Sequence, residues 1–234
     1  VGTLVIFYTF IGGTKAVNVT QKQQMFIIFS GMFITLYFII IGFPNQVSFL
    51  DALTIAGKAG KLGFLDFSFD LKSRYTFWSG ITGGLFLSLS YFGTDQSQVQ
   101  RYLSGKSLRE SQMGLIMNGF LKVPMQFFIL FIGVMVYVFY QFELSPLNFN
   151  PKAVSAVKES NQSDKFLKLE LENLDTQKQI RYLLLNNGSS KEIDLLREKE
   201  LKQRNTAKSI INNLNSKQQV NDKDYIFISF VLTF

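Results

Sequence analysis

The sequence contains no cysteine and no histidine. That removes thiol nucleophiles, disulfides, zinc sites built from Cys or His, and serine–histidine triads. Missing cysteine says nothing about the redox compartment. Hydrolase and nucleotide-binding motifs are absent too, so the chain does not read as an enzyme. A basic stripe is also lacking. There are 24 Lys and Arg against 17 Asp and Glu, a net charge of +7, but the cations are spread through a mixed-charge segment. Without a basic face or a base-stacking motif, nucleic acid is not an expected partner. No basic leader with a cleavage site opens the chain, so the first apolar run is not a signal peptide.

What is present falls into unlike parts. The mean hydropathy of +0.16 describes none of them. Residues 1–142 are dominated by Phe, Ile, Leu, Val, Gly and Tyr, and residues 143–224 by Lys, Glu, Asn, Gln and Ser. Residues 225–234 are apolar again. The division predicts a transmembrane core over 1–142, a polar helical insertion over 143–224, and the start of another span from 225. The chain opens inside an apolar run at Val1 and closes inside "YIFISFVLTF". It reads as an internal stretch of a longer membrane protein.

Hydrophobic length decides the class. Met25–Phe43 is nineteen residues without a charge, about what a hydrocarbon core of roughly 30 Å requires. Tyr75–Phe92 is of similar length but rich in Gly, Ser and Thr. Ser111–Phe142 ends in "FFILFIGVMVYVFYQF", and Val1–Gly13 is the end of an earlier span. A water-soluble core would have to pack several such uncharged helices, so the expected class is an all-α membrane protein. Thr14–Gln24 and Gln96–Gln112 read as short basic connections, and Pro44–Arg74 as a longer loop of mixed charge. The positive-inside rule places the two basic connections in the cytoplasm. Alternation then puts Pro44–Arg74 and residues 143–224 outside, with Gly57–Gly63 a flexible stretch of the outer loop.

Two spans carry unusual residues. Gly80, Gly83 and Gly84 let a neighbouring helix approach closely, and they also make their helix easy to unwind beside a solute. Lys122 sits about eleven residues into the last full span, and two readings stay open. An ammonium at membrane depth is costly and should face a cavity or a partner. Alternatively it snorkels to the cytoplasmic interface, and the true span starts at Val123. Pro124 frees the carbonyl of Phe120 and kinks the helix beside the lysine.

Two motifs carry a resemblance. "GGTKAVNVTQKQQ" (12–24) resembles the loop motif of the sodium/solute symporter family, relatives of the sodium–glucose cotransporters. "YFGTDQSQVQRYLSGKS" (91–107) resembles that family's second motif, an aromatic–Gly–x–Asn/Asp–Gln pattern running into Gln-Arg. The resemblance covers about residues 1–142. It implies a leucine-transporter-like bundle of two inverted five-helix repeats, with solute bound near the midplane by broken helices. Val1–Gly13, Met25–Phe43, Tyr75–Phe92, Ser111–Phe142 and the segment from Tyr225 would then be core helices four to eight.

The resemblance also implies roles. Tyr91 takes the place of the tyrosine that closes the inner gate over solute. Ser88 takes a solute-contacting place held by Asn in the sugar-transporting branch, and Lys122 that of a lysine bonding solute or its neighbours. Asp95, Gln96 and Arg101 tie the helix end to the cytoplasmic loop. Gln21 stands where the family has an acid, and offers sodium an oxygen but no charge. The main sodium site, between helices one and eight of the family, is expected outside this stretch, so no metal ligand is assigned here.

The function implied is sodium-coupled uptake of a small polar solute, sugar-like or an organic anion, by alternating access. Sodium would be the coupling ion, and solute and the lipid bilayer the partners. The alternative is a sensory or regulatory membrane domain of the same fold. The location is the cell membrane, multi-pass, and the inner membrane in a Gram-negative bacterium.

The polar part predicts an outer αα-hairpin inserted between core helices seven and eight. Its first helix is Ser163–Leu185, with Phe166, Leu167, Leu171, Leu174 and Leu185 as apolar positions. Asn187-Gly188 is the stop, and Ser189 to Glu192 reads as a capping box. The second helix carries Ile193, Leu196, Ile210, Ile211 and Leu214. No partner for this insertion is identified from the sequence.

Overall fold

The computed structural model describes residues 2–63, 66–70, 76–103, 107–186, 188–214 and 221–233. Val1, Arg74, Tyr75, Asn187 and Phe234, which bound or mark expected segments, lie outside the described residues. Among the described residues the chain is all-α, in nine helices. They are α1 (Gly2–Ile41), α2 (Phe49–Lys58), α3 (Phe77–Gly93), α4 (Gln96–Leu103), α5 (Leu108–Phe142), α6 (Pro151–Lys158), α7 (Ser163–Leu185), α8 (Ser190–Leu214) and α9 (Lys223–Thr233). The chain forms two compact units, one of residues 1–34 and 59–131, the other of 35–58 and 132–234. Helices α1 and α5 each contribute to both.

In the first unit, α1 departs from the expected loop at Thr14–Gln24. That stretch is helical, and Lys15 and Lys22 lie on the helix rather than in a connection. The break shrinks to Gly13, at φ 55 and ψ −152. Only glycine tolerates such a conformation, and residues 14–24 hold neither Gly nor Pro to stop the helix again. Lys15–Ile41 and Leu108–Phe142 are long and apolar enough to cross a membrane, two such helices among the described residues. Phe33 and Phe128 bring their ring centroids to 5.0 Å.

Helix α3 starts at a capping box. The Thr76 hydroxyl accepts from the Ser79 N–H, and the Ser79 hydroxyl accepts from the Thr76 N–H at 3.0 Å. Phe67, Phe77 and Trp78 cluster at this start, with the indole N–H donating to the Phe67 carbonyl at 3.3 Å. At 17 residues, α3 is about 25 Å long, short of a roughly 30 Å core. Among the described residues no close helix contact is made at Gly80, Gly83 or Gly84. A Cβ added at any of them meets open space.

The second unit has an apolar layer and a polar helical layer. Met135, Val138, Phe139 and Phe142 on α5 are buried, as are Ile39 and Phe230. Phe139 meets Phe230 edge-on at 5.1 Å, and Phe43 meets Phe142 at 6.2 Å. The expected hairpin is present as α7 and α8, but it is not alone. The preceding α6 joins it, so the polar part is a three-helix unit, and α2 adds a helix within the Pro44–Arg74 loop. Asn150 caps α6 by accepting from the Lys152 and Ala153 N–H groups, and Pro151 occupies the first turn. Ala153 and Val157 then pack with Leu147, Phe166, Ala207, Ile210 and Ile211.

The apolar positions expected on α7 and α8 divide. Phe166, Ile193, Ile210 and Ile211 are buried, while Leu171 is 68% exposed. Asn173, Thr176 and Gln177 take the buried positions on α7 instead. At the turn the Gly188 N–H donates to the Leu183 carbonyl at 2.7 Å, five residues back, as in a Schellman closure. A Cβ at Gly188 would meet Leu183 Cδ2 at 2.7 Å and Leu183 Cα at 3.2 Å, so the turn requires glycine by close approach.

Asp222 anchors the start of α9. Its carboxylate accepts from the Phe149 N–H at 3.2 Å and pairs with the Lys208 ammonium at 2.9 Å. Burial pushes this carboxyl up, but the bonds from Lys208 and Phe149 outweigh it and hold it below the usual carboxylate value. Its folded value is depressed relative to about 3.9 in the unfolded chain. The tie therefore contributes fully above that value and is lost as pH falls through the depressed one. After correction for intrinsic rates, hydrogen exchange at the Phe149 amide should accelerate on acidification through this range. Asp222→Asn should abolish that transition.

Candidate solute site

The expected site residues come from α3, α4 and α5. Ser88 and Tyr91 are three apart on α3 and so share a face. Ser88 is exposed and Tyr91 half-buried. Tyr91 stands two residues from the end of the helix, its ring at 5.1 Å and 90° to that of Phe92. Lys122 lies in the middle of α5, two residues before Pro124. Pro124 has no N–H to give the helix, which leaves a backbone carbonyl one turn earlier without its usual donor.

The structure brings Tyr91 and Lys122 together. The Lys122 Nζ is 5.3 Å from the centroid of the Tyr91 ring, inside the roughly 6 Å range over which an ammonium is attracted to an aromatic face. Lys122 is exposed and makes no ion pair among the described residues. The arrangement is a cation held by a ring, with a hydroxyl one turn away on the same face. Its chemistry suits a small anion, which could meet the ammonium without displacing a carboxylate.

Asp95, Gln96 and Arg101 mark the α3–α4 joint. The Thr94 and Asp95 N–H groups both donate to the Ser90 carbonyl, at 3.1 and 3.2 Å, which closes α3. The Asp95 carbonyl accepts from the Val99 N–H at 3.0 Å, which opens α4. Gln96 is the first residue of α4 and exposed. Arg101 is on α4, and its side chain lies outside the described residues. Gln21 is half-buried on α1, within a helix rather than a loop. Among the described residues no group of three or more acidic side chains could hold a metal ion.

Sequence reasoning did not anticipate a cavity of about 310 Å³ in the second unit. Asp51, Thr54 and Lys58 of α2 line one wall, and Ser190, Asp194 and Arg197 of α8 another. Asp51 is held below the usual carboxylate value by the Ser48 hydroxyl and N–H. No motif marks this cavity, because its walls lie far apart in the chain.

The face carrying Ser88 can be probed directly, since the chain has no native thiol. Ser88→Cys should react readily with a water-soluble maleimide in membranes. Phe86→Cys should react much more slowly, although Phe86 is 71% exposed, because two residues turn it about 200° to the other side of the helix. Equal rates at the two positions would remove the distinction between a wet face and a lipid face.

The family model of the Sodium:solute symporter family matches residues 1–173. The chain is 36% identical over 119 residues to the human Sodium/iodide cotransporter, covering 50% of this chain and 18% of that protein. It is 37% identical over 117 residues to the human Sodium-coupled monocarboxylate transporter 1, covering 50% of this chain and 19% of that protein. It is 31% identical over 144 residues to the Sodium-dependent multivitamin transporter of Oryctolagus cuniculus, covering 60% and 22%. The matched stretch is therefore about a fifth of the length of these relatives. No solved structure matches the chain significantly. A symporter family is a transport family, not an enzyme family. With two helices of membrane-crossing length and a family model covering most of its residues, the chain is that of a multi-pass membrane protein and belongs to the sodium:solute symporter family.

Proposed function

We propose that this chain forms part of a sodium-coupled symporter for a small anion, working by alternating access in a leucine-transporter-like bundle. The observation that carries the reading is the exposed Lys122 ammonium, 5.3 Å from the Tyr91 ring and without a carboxylate partner among the described residues. An uncompensated cation on a membrane-crossing helix is costly unless something arrives to meet it. An anionic solute would do so and would regain the interaction on binding. The relatives named for iodide and for monocarboxylates carry anions, which supports the anionic reading over a sugar-like one. In this reading Ser88, Tyr91 and Lys122 contact the solute, and Tyr91 also forms the inner gate. Asp95, Gln96 and Arg101 hold the joint at the cytoplasmic end, and sodium binds to parts of the protein outside this chain.

Two measurements test the proposal. Accumulation of a radiolabelled monocarboxylate or halide by the full-length protein in liposomes should collapse when external sodium is replaced by choline. Accumulation that survives the replacement, and follows a proton gradient, would defeat sodium coupling. Lys122→Met keeps the length and removes the charge. Solute affinity should fall by roughly one to two powers of ten, as for losing a charged hydrogen bond of about 1.5–3 kcal/mol. Unchanged affinity and rate would place the lysine at the interface and remove it from the solute site.

A further inference from the structure

The segment from Glu143 to Asn150 leaves the helix at the end of α5, yet five of its eight residues are buried. Ser145, Leu147, Asn148, Phe149 and Asn150 are each 6% exposed or less. An irregular buried segment has peptide groups that no helix satisfies, so they need partners from elsewhere. Here α7 and α8 supply them through side chains. The Gln177 carboxamide, 6% exposed, accepts from the Ser145 N–H at 2.9 Å and donates to the Ser145 carbonyl at 3.0 Å. It thus pairs with both backbone groups of one residue. The same amide nitrogen donates to the Asn173 side-chain Oδ1 at 2.6 Å, and the Asn173 side-chain amide donates to Gln203 Oε1 on α8 at 3.1 Å.

From α8, the Arg204 guanidinium donates to the Ser145 hydroxyl at 2.6 Å and to the Pro146 carbonyl at 3.1 Å. It also lies over the Phe149 ring at 5.7 Å. Glu200, largely buried, pairs with the remaining edge of the fork at 3.0 Å and fixes its orientation. One turn pair earlier, Arg197 reaches Gln141 in the last turn of α5 at 3.2 Å. The polar composition of residues 143–224 therefore does not make a detachable spacer. Gln177 and Arg204 are committed to the exit from α5.

We propose that Gln177 and Arg204 are positioning residues that clasp the end of α5, so that α6, α7, α8 and this helix end move as one body during transport. The proposal rests on the symporter reading for its motion, and on the hydrogen bonds alone for the clasp. To slide relative to α5, the three-helix unit would have to leave both Ser145 backbone groups without partners and strip the half-buried Arg204 guanidinium of its bonds to Ser145 and Pro146, which a low-dielectric interior penalises strongly.

The test uses the full-length protein in liposomes. Glu143, exposed and bonded through its N–H to the Phe139 carbonyl at 3.0 Å, and Lys168, exposed on α7, are each replaced by Cys and spin-labelled. Pulsed electron resonance should give one narrow distance that is the same in sodium with solute and in sodium-free buffer. In Gln177→Leu with Arg204→Met the distribution should broaden at least twofold, and the maximal uptake rate should fall several-fold at unchanged half-saturating solute. Arg204→Lys, which keeps the charge but loses the fork, should lie between. A parent distance that shifts with sodium and solute overturns the proposal. So does a double variant as narrow as the parent. Hydrogen exchange across α7 and α8 shows whether the double variant keeps its helices. If it does not, the parent distances and the Arg204→Lys width decide. If uptake proves independent of sodium, the symporter reading fails, while the comparison of widths still judges the clasp.

Discussion

Every buried peptide group needs a hydrogen-bond partner, and this requirement organises the molecule from end to end. In α1 and α5 it is met within the helix except around Gly13 and Pro124, which is what allows such apolar segments to exist in hydrocarbon. It is met differently where the chain leaves α5 and remains buried. There Gln177, Arg204 and Asp222 stand in for the helical ladder, and they come from α7, from α8 and from just before α9. The polar character of residues 143–224 follows from that task. A Leu at position 177 would pack, but it would abandon two backbone groups of Ser145. The polar helices and the apolar layer of α5 are thus one construction, joined through the amides and guanidinium that composition alone would assign to solvent.

The same economy of charge shapes the candidate solute site. Lys122 has a ring beside it but no carboxylate among the described residues, whereas Arg204, Arg197 and Lys208 are each committed to an acid. A committed cation holds structure. One that is only steadied by the face of Tyr91 keeps most of its affinity for something else, since a cation–π contact contributes about 0.5–2 kcal/mol. Pro124 beside it lacks an N–H to give the helix, and the α3–α4 joint at Asp95 interrupts the chain's helix just past Tyr91, and such places are where membrane helices offer polar groups to a solute.

Much of this is legible in the sequence. The class followed from apolar length, and the bounds of α7 at Ser163 and Leu185 followed from its composition and flanking signals. The pairing of Tyr91 with Lys122 was anticipated only through the family resemblance, because the two lie thirty-one residues apart and no local pattern links them. Other features were misread for identifiable reasons. Thr14–Gln24 looks like a loop because it is polar and basic, but polar residues without Gly or Pro continue a helix readily. Helix α6 was missed because eight residues with two buried apolar positions, Ala153 and Val157, give too short a period to recognise. Leu171 reads as core and is exposed, because the inward side of α7 carries Asn173, which bonds Gln203 on α8, and Gln177, which bonds Ser145.

By itself the sequence determined the local matters: helix wherever peptide groups had to be satisfied inside apolar runs, a kink at Gly13, a capped start at Thr76, a closed turn at Gly188. It also determined the family, through motifs whose residues are neighbours in the chain. Tertiary structure alone decided which polar side chains face inward. Gln177 and Gln179 are the same residue type two positions apart on one helix. The first is buried against Ser145, while the second is exposed and donates to Asp175 on its own helix. Their difference is the direction in which each points once α5, α7 and α8 are packed. That direction is set by long-range contact, and no short stretch of sequence records it.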